Sequence, residues 1–255
     1  MENKTILITG ASSGIGEACA KRFAKEGHQL ILNARNKEKL ISLKQELEEA
    51  YSTKVFLIPF DVRDFMAAEK AVSELPQDFA DIDILINNAG LALGVDKEYE
   101  GAMADYETMI DTNIKALLRM TQLIVPGMIA RNKGHVINIG SIAGEKAYPG
   151  GSVYCATKAA VKALSDGLRM DLYDTPIRVT NLKPGLVETN FSVIRYHGDK
   201  EKADNVYRNV TPLTGDDIAE VAYFAASAPT HVQISEVEIL ATHQASAQMV
   251  WRGQK

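Results

Sequence analysis

Short apolar runs of strand type alternate with longer amphipathic stretches along the whole chain. Thr5-Ile6-Leu7-Ile8 opens the series, and further runs at 28–34, 54–60, 82–87, 135–140, 177–182 and 232–240 follow. Such short runs between helical stretches read as strands buried on both faces, as in a parallel sheet. Between them, helical spacing of apolar residues predicts helices after Gly16, where Ala18, Ala20, Phe23 and Ala24 recur, and over about 38–50, 64–75, 104–131, 152–173 and 215–227. Strand-helix alternation calls for right-handed crossovers and a mostly parallel sheet of about seven strands, with helices on both faces. The predicted class is therefore α/β, a single doubly wound domain that gathers its ligands at the carboxyl ends of the strands.

The first strand leads into Thr9-Gly10-Ala11-Ser12-Ser13-Gly14-Ile15-Gly16 and then directly into a helix. Strand, glycine-rich turn and helix in that order form the phosphate-binding start of a Rossmann-type domain. The glycines allow a tight turn and close backbone approach, and the helix N-terminus attracts a pyrophosphate. The alternative is that these glycines only shape a loop.

Tyr154 and Lys158 stand at i and i+4 within Tyr154-Cys155-Ala156-Thr157-Lys158, inside a predicted helix. That spacing puts phenol and ammonium on one face, where the positive charge favours the phenolate and suits the tyrosine to general acid/base work. The bland alternative is a packed Tyr beside a solvated Lys. Ser141, just past the 135–140 strand, reads on its own equally well as a cap or turn residue.

The glycine turn, Asn87-Asn88-Ala89-Gly90 after a strand, Asn113 in the next helix, Ser141, Tyr154 with Lys158, and Pro184-Gly185 occur in one order. Together they resemble the short-chain dehydrogenases/reductases, over nearly the whole chain. Gly-Leu-Ala-Leu-Gly at 90–94, Tyr-Pro-Gly-Gly at 148–151 and the 195–202 loop are most similar to the NADP-dependent 3-hydroxy acid dehydrogenases, serine and allo-threonine dehydrogenases among them.

The resemblance implies an oxidoreductase that moves a hydride between a nicotinamide and a secondary alcohol or ketone carbon. In that scheme Tyr154 exchanges the proton, Ser141 hydrogen-bonds the substrate oxygen, and Lys158 lowers the phenol pKa and holds the ribose. Asn113 holds a water linking Lys158 to solvent, although a mid-helix Asn ordinarily faces solvent. The implied cofactor contacts are Gly10, Ser12, Ser13, Gly14, Ile15, Gly16, Asn88, Ala89, Gly90, Tyr154, Lys158, Pro184, Gly185, Val187 and Thr189. Asp61 and Val62 lie along the adenine, though Asp61 also reads as a cap for the following helix.

NAD sites of this fold carry an acidic residue about 20 residues beyond the glycine turn. Here the second strand ends Leu32-Asn33-Ala34-Arg35. With no acid to repel a 2′-phosphate and a guanidinium fork to receive one, NADP is expected rather than NAD. Arg35 is the expected contact, with Asn36, Lys37 or Lys39 able to share it; the bland reading of Arg35 is a surface residue at a strand end.

The 187–214 segment lacks clean periodicity and is longer than ordinary connections, which suggests a substrate lid or local disorder. Arg195 is the expected grip on a substrate carboxylate, by bidentate geometry, against the alternative of a solvated loop residue. Substrate-binding residues are thus Ser141, Tyr154 and Arg195, and the expected substrate is a small 3-hydroxy acid, a serine-like 2-amino-3-hydroxy acid, or the matching carbonyl compound. A reductase of carrier-bound 3-oxoacyl chains and a catalytically idle dinucleotide sensor are the competing classes. The first lacks its glycine-rich Asp-Gly ending at 234–242, and the second has no need of a proton donor.

Residues 1–242 form the expected catalytic domain and 243–255 a tail bearing Met249, Val250 and the single Trp251, suited to a contact between subunits of a homotetramer. A net charge of -5 gives no blanket attraction to nucleic acid or anionic membrane. A first strand within a few residues of Met1 leaves no room for a signal peptide, and the apolar 123–130 stretch is too short to span a bilayer, so a cytoplasmic protein is expected. Cys19 and Cys155 read as core or interface residues, and the five histidines show no metal-ligand pattern.

Overall fold

Parallel strands form the centre of the molecule in a computed structural model that describes residues 3–253. They are β1 (Thr5–Thr9), β2 (Gln29–Ala34), β3 (Val55–Pro59), β4 (Ile84–Asn87), β5 (His135–Ile139), β6 (Arg178–Pro184) and β7 (Glu236–Ile239). Their order is β3-β2-β1-β4-β5-β6-β7, parallel throughout. After β3 the chain crosses back over β1 to start β4, so the order reverses between β1 and β4, and a crevice opens there at the carboxyl ends.

The connecting helices are α1 (Gly14–Lys25), α2 (Lys37–Tyr51), α3 (Phe65–Ser73), α4 (Gln77–Ala80), α5 (Met103–Ile110), α6 (Ala116–Ala130), α7 (Ser152–Asp171), α8 (Phe191–Arg195), α9 (Lys200–Tyr207) and α10 (Gly215–Ser227). Side chains alternate across the sheet even where every residue is apolar. Ile6, Ile8, Leu30 and Leu32 pack under α1, α2 and α10, while Leu7 and Ile31 face α3, α6 and the end of α7. A sheet covered on both faces removes the polar alternation of a half-exposed one.

Most element ends lie within a residue or two of expectation. The last strand is shorter than the 232–240 run, because the Val232 N–H turns back to the Pro229 carbonyl at 2.8 Å. The short α4 has no counterpart in the sequence reading. The predicted 104–131 helix is interrupted: Asp111–Lys115 form a π-helical turn between α5 and α6. Asp61 does not cap α3. Asp64 does, accepting from Ala67 N at 3.0 Å, while Arg63 engages the Asp61 carboxylate.

The 187–214 segment is not an unstructured loop, since it contains α8 and α9. Asp199 caps α9 by accepting from Lys202 N, and Tyr207 donates to the Val187 carbonyl at 3.0 Å. Lys200-Glu201-Lys202-Ala203-Asp204-Asn205 carries too few apolar residues to signal a helix by periodicity. Both cysteines are buried, and burial pushes the Cys19 thiol up to about 12. No helix among the described residues is long and apolar enough to cross a membrane.

Candidate active site

β1 ends at Thr9 and the chain turns into α1 through Gly10 (φ 67°) and Gly14 (φ 58°), left-handed conformations that glycine adopts without strain. Asn88 ties this turn to β4 by donating Nδ2 to the Thr9 carbonyl at 2.9 Å and the Gly10 carbonyl at 3.2 Å. Thr9 answers through its hydroxyl, which accepts the N–H groups of Asn88 and Ala89 at 3.0 Å each. This role of Thr9 becomes visible only once β4 is known to lie beside β1.

A Cβ on Gly16 would overlap the Gly10 carbonyl and stand 2.5 Å from Asn88 Nδ2. Gly16, expected as a cofactor contact, is therefore a packing glycine behind the turn. It does not line the cavity.

That cavity measures about 690 Å³ over the β1/β4 crevice. It brings together the expected Gly10, Ser12, Ser13, Gly14, Ile15, Arg35, Asn36, Asp61, Val62, Asn88, Ala89, Gly90, Ser141, Tyr154, Lys158, Pro184, Gly185, Val187, Thr189 and Arg195. Residues that sequence reasoning missed also line it, chiefly Tyr148, Phe191 and Gln244. Gln244 is buried and accepts the Leu186 N–H at 2.7 Å, bracing the turn after Pro184-Gly185 from the tail.

Tyr154 and Lys158 project from α7 into the cavity, and both are buried. Lys158 Nζ lies 6.0 Å from the Tyr154 ring centroid and donates to the Ile139 carbonyl at 2.8 Å. Ser141 caps a short 3-10 turn, accepting from Ala143 N at 3.1 Å, and its hydroxyl, which lines the same cavity as the Tyr154 phenol, donates to the Pro184 carbonyl at 3.5 Å. Ser141 is thus a cap residue that also faces the cavity.

Burial dominates the electrostatics. It drives the Tyr154 phenol above its ordinary range, while the Ser141 hydroxyl and the Arg195 charge pull the other way without prevailing. Burial also lowers the Lys158 ammonium to about 8. The phenol is thus raised where a lowering was expected, because its own burial outweighs the favourable groups beside it, and Lys158 directs its ammonium to a backbone carbonyl.

Asn113 occupies the π turn and is only 2% exposed, contrary to the usual solvent-facing place of a mid-helix Asn. Its side chain accepts from Leu91 N at 2.9 Å and donates to the Leu91 carbonyl at 2.8 Å and Thr157 Oγ1 at 3.0 Å. It stands behind Gly90 rather than in the cavity. Arg195 reaches the cavity from α8, donating to Tyr148 Oη (3.0 Å), the Gly150 carbonyl (3.1 Å) and the Gly94 carbonyl (3.3 Å). One N–H on each terminal nitrogen remains without a protein acceptor.

The lining fits a dinucleotide with a 2′-phosphate. Ser13 gives α1 no side-chain cap, so the first N–H groups of that helix face the turn with no side chain answering them. No acid ends β2, and the nearby Asp61 carboxylate is paired with Arg63 at 2.7 Å, a contact that lowers its pKa. Among the described residues no group of His, Cys, Asp or Glu is placed to hold a metal ion.

Residues 4–198 match the family described as short chain dehydrogenase. The NADP-dependent 3-hydroxy acid dehydrogenase of Schizosaccharomyces pombe is 48% identical over 255 residues, covering 100% of this chain and 98% of that protein. The serine 3-dehydrogenase of Agrobacterium fabrum is 46% identical over 243 residues, 95% of this chain and 96% of that one. A solved structure described as the closed form of serine dehydrogenase complexed with NADP+ superposes with a TM-score of 0.91 at 43% identity, covering 98% of this chain and 100% of its own.

Proposed function

The chain belongs to the short-chain dehydrogenase family, and from that premise we propose that it transfers a hydride reversibly between NADP(H) and a small 3-hydroxy acid or serine-like 2-amino-3-hydroxy acid. One observation carries the reading: Ser141, Tyr154 and Lys158 converge on the same cavity as the glycine turn and Arg35. The names of the relatives support the choice of cofactor and substrate class.

In this reading Gly10, Ser12, Ser13, Gly14 and Ile15 hold a pyrophosphate, with Asn88, Ala89 and Gly90 beside them, and Arg35 and Asn36 receive the 2′-phosphate. Asp61 and Val62 border the adenine; Pro184, Gly185, Val187 and Thr189 border the nicotinamide. When bound, NADP supplies the carbon that accepts or gives the hydride.

Tyr154 takes the alcohol proton on its phenolate oxygen during oxidation and returns it to the carbonyl oxygen during reduction. Ser141 donates a hydrogen bond to that same oxygen as charge develops there. Lys158 holds ribose hydroxyls, and Asn113 fixes the loop after β4 around them. Arg195 offers its two remaining N–H groups to a substrate carboxylate. The reading also includes a cytoplasmic location and a homotetramer; the 64% exposure of Trp251 supports a subunit contact at the tail.

Turnover of L-serine, 3-hydroxypropionate and an acetoacetyl thioester, each with the NADP and NAD couples, tests the proposal. Turnover of the hydroxy acids with NADP is expected. Preference for the thioester overturns the substrate class, and preference for NAD overturns the cofactor.

A further inference from the structure

Two cations flank the Tyr154 ring. Lys158 Nζ and the Arg195 guanidinium carbon each lie 6.0 Å from its centroid. Lys158 shares α7 with the phenol, so its position is fixed by one rigid element. Arg195 belongs to α8, and its charge stands beside the phenol only while that segment is seated.

The seat is specific. Gly94 N donates to the Arg195 carbonyl at 2.9 Å, and the guanidinium is anchored on Tyr148, Gly150 and Gly94 as described. Phe191, four residues earlier on α8, packs its ring 5.6 Å from that of Tyr154. The other titratable groups facing the phenol are Tyr148 from the preceding loop and Cys155 and Lys158 from α7. Asp96 and Asp105 border a small side pocket shared by Tyr154 and Arg195, and His197 Nε2 stands 3.1 Å from Asp105. Among all these, Arg195 is the cation that opposes the effect of burial on Tyr154, and it draws Tyr148 and Cys155 in the same direction.

We propose that Arg195 is a positioning residue for proton exchange: seated with α8, its guanidinium favours the Tyr154 phenolate, so the acid/base group is set only when the cavity is covered. This rests on the reading of Tyr154 as the acid/base. It is separate from the carboxylate contact, because a charge beside the phenol acts whether or not the substrate is an acid.

The test is the pH dependence of kcat for oxidation of the methyl ester of 3-hydroxypropionate, whose neutral head leaves the Arg195 charge uncompensated. A charge about 6 Å away moves a titration by roughly half a unit to two units as the medium changes from water-like to protein-like. Arg195→Met is expected to shift the acidic limb to higher pH by that amount, Arg195→Lys to bring it most of the way back, and Tyr148→Phe to give a smaller shift of the same sign. An Arg195→Met profile that superposes on the parent overturns the proposal, as does an Arg195→Lys profile displaced equally far. If Arg195→Met yields no folded protein, Tyr148→Phe decides: an upward shift supports the proposal and superposition overturns it. Tyr154→Phe separates the two layers. Retained turnover in that variant overturns the acid/base reading itself, whereas an inactive Tyr154→Phe with an unmoved Arg195→Met profile overturns only the role of Arg195.

Discussion

The Asn113 amide treats Leu91 as a strand neighbour would, accepting its N–H at 2.9 Å and donating to its carbonyl at 2.8 Å. A third bond to Thr157 Oγ1 at 3.0 Å fastens the pair to α7, one residue before Lys158. Asn113→Ala leaves two backbone groups of Leu91 without their partners in a partly buried place, at about 1–3 kcal/mol each. The expected loss is roughly 2–5 kcal/mol in urea unfolding, together with weaker NADPH binding because the Asn88-Ala89-Gly90 loop is released. A variant as stable as the parent would show that water replaces the amide and that the clamp is dispensable.

The π turn that makes this possible is invisible to periodicity. The 104–131 stretch reads as one helix because its apolar spacing survives the extra residue, yet Asp111–Lys115 widen the turn and place both Thr112 and Asn113 inside. The legible features are the local ones. Gly10, Gly14 and Gly16 lie together where β1 turns into α1, and Tyr154 and Lys158 share one helix face, so their pattern is complete within a few residues. Gln244, Tyr148 and Thr9 act through partners 58, 47 and about 80 residues away, and no short window contains both members. Burial is equally non-local, which is why the sign of the Tyr154 shift follows from packing and not from the Tyr-x-x-x-Lys spacing.

Arg35 stands at the cavity rim beyond β2, and Asp61 across from it is already paired with Arg63. Arg35→Ala is therefore expected to weaken NADP far more than NAD, since only one of them carries the 2′-phosphate. Charge-assisted hydrogen bonds are worth roughly 1.5–3 kcal/mol, a ten- to hundredfold selective loss in Kd. Fluorescence titration with both reduced cofactors measures it; equal weakening would leave Arg35 with a structural role and direct attention to Lys39.

The tail does two things that a single truncation would confuse. Gln244 braces Leu186 beside the Pro184-Gly185 turn, whereas Met249 and Trp251 are 67% and 64% exposed, the indole lying 4.8 Å from the His243 ring. Removing everything from His243 onward would also cut the Arg252 bonds to the Arg208 and Val206 carbonyls, which hold the end of α9. Gln244→Ala is expected to raise KM for NADP several-fold with the assembly mass unchanged. Trp251→Ala is expected to lower the mass seen by light scattering with KM intact. If Trp251→Ala leaves the mass as it was, the tail is not a subunit contact.

Lys158 links function to a stability cost whose sign is set by burial. Its ammonium titrates near 8 in the folded protein against 10.5 for an ordinary lysine. Between those values the unfolded chain binds the additional proton, so this group makes stability rise with pH, and below about 8 its penalty is fully present. Each pKa unit is worth about 1.4 kcal/mol, and the bond to the Ile139 carbonyl returns roughly 1 kcal/mol. Lys158→Met removes the buried charge and is therefore expected to stabilise the protein at pH 7 by about 2 kcal/mol while abolishing turnover. The gain should shrink steadily as pH rises from 8 through 10.5, above which the parent lysine is neutral in both states. Urea unfolding of parent and variant at pH 7 and pH 10 measures both ends of that window. A variant less stable than the parent at pH 7, or a gap that widens with pH, would mean that Lys158 is held by interactions stronger than its desolvation.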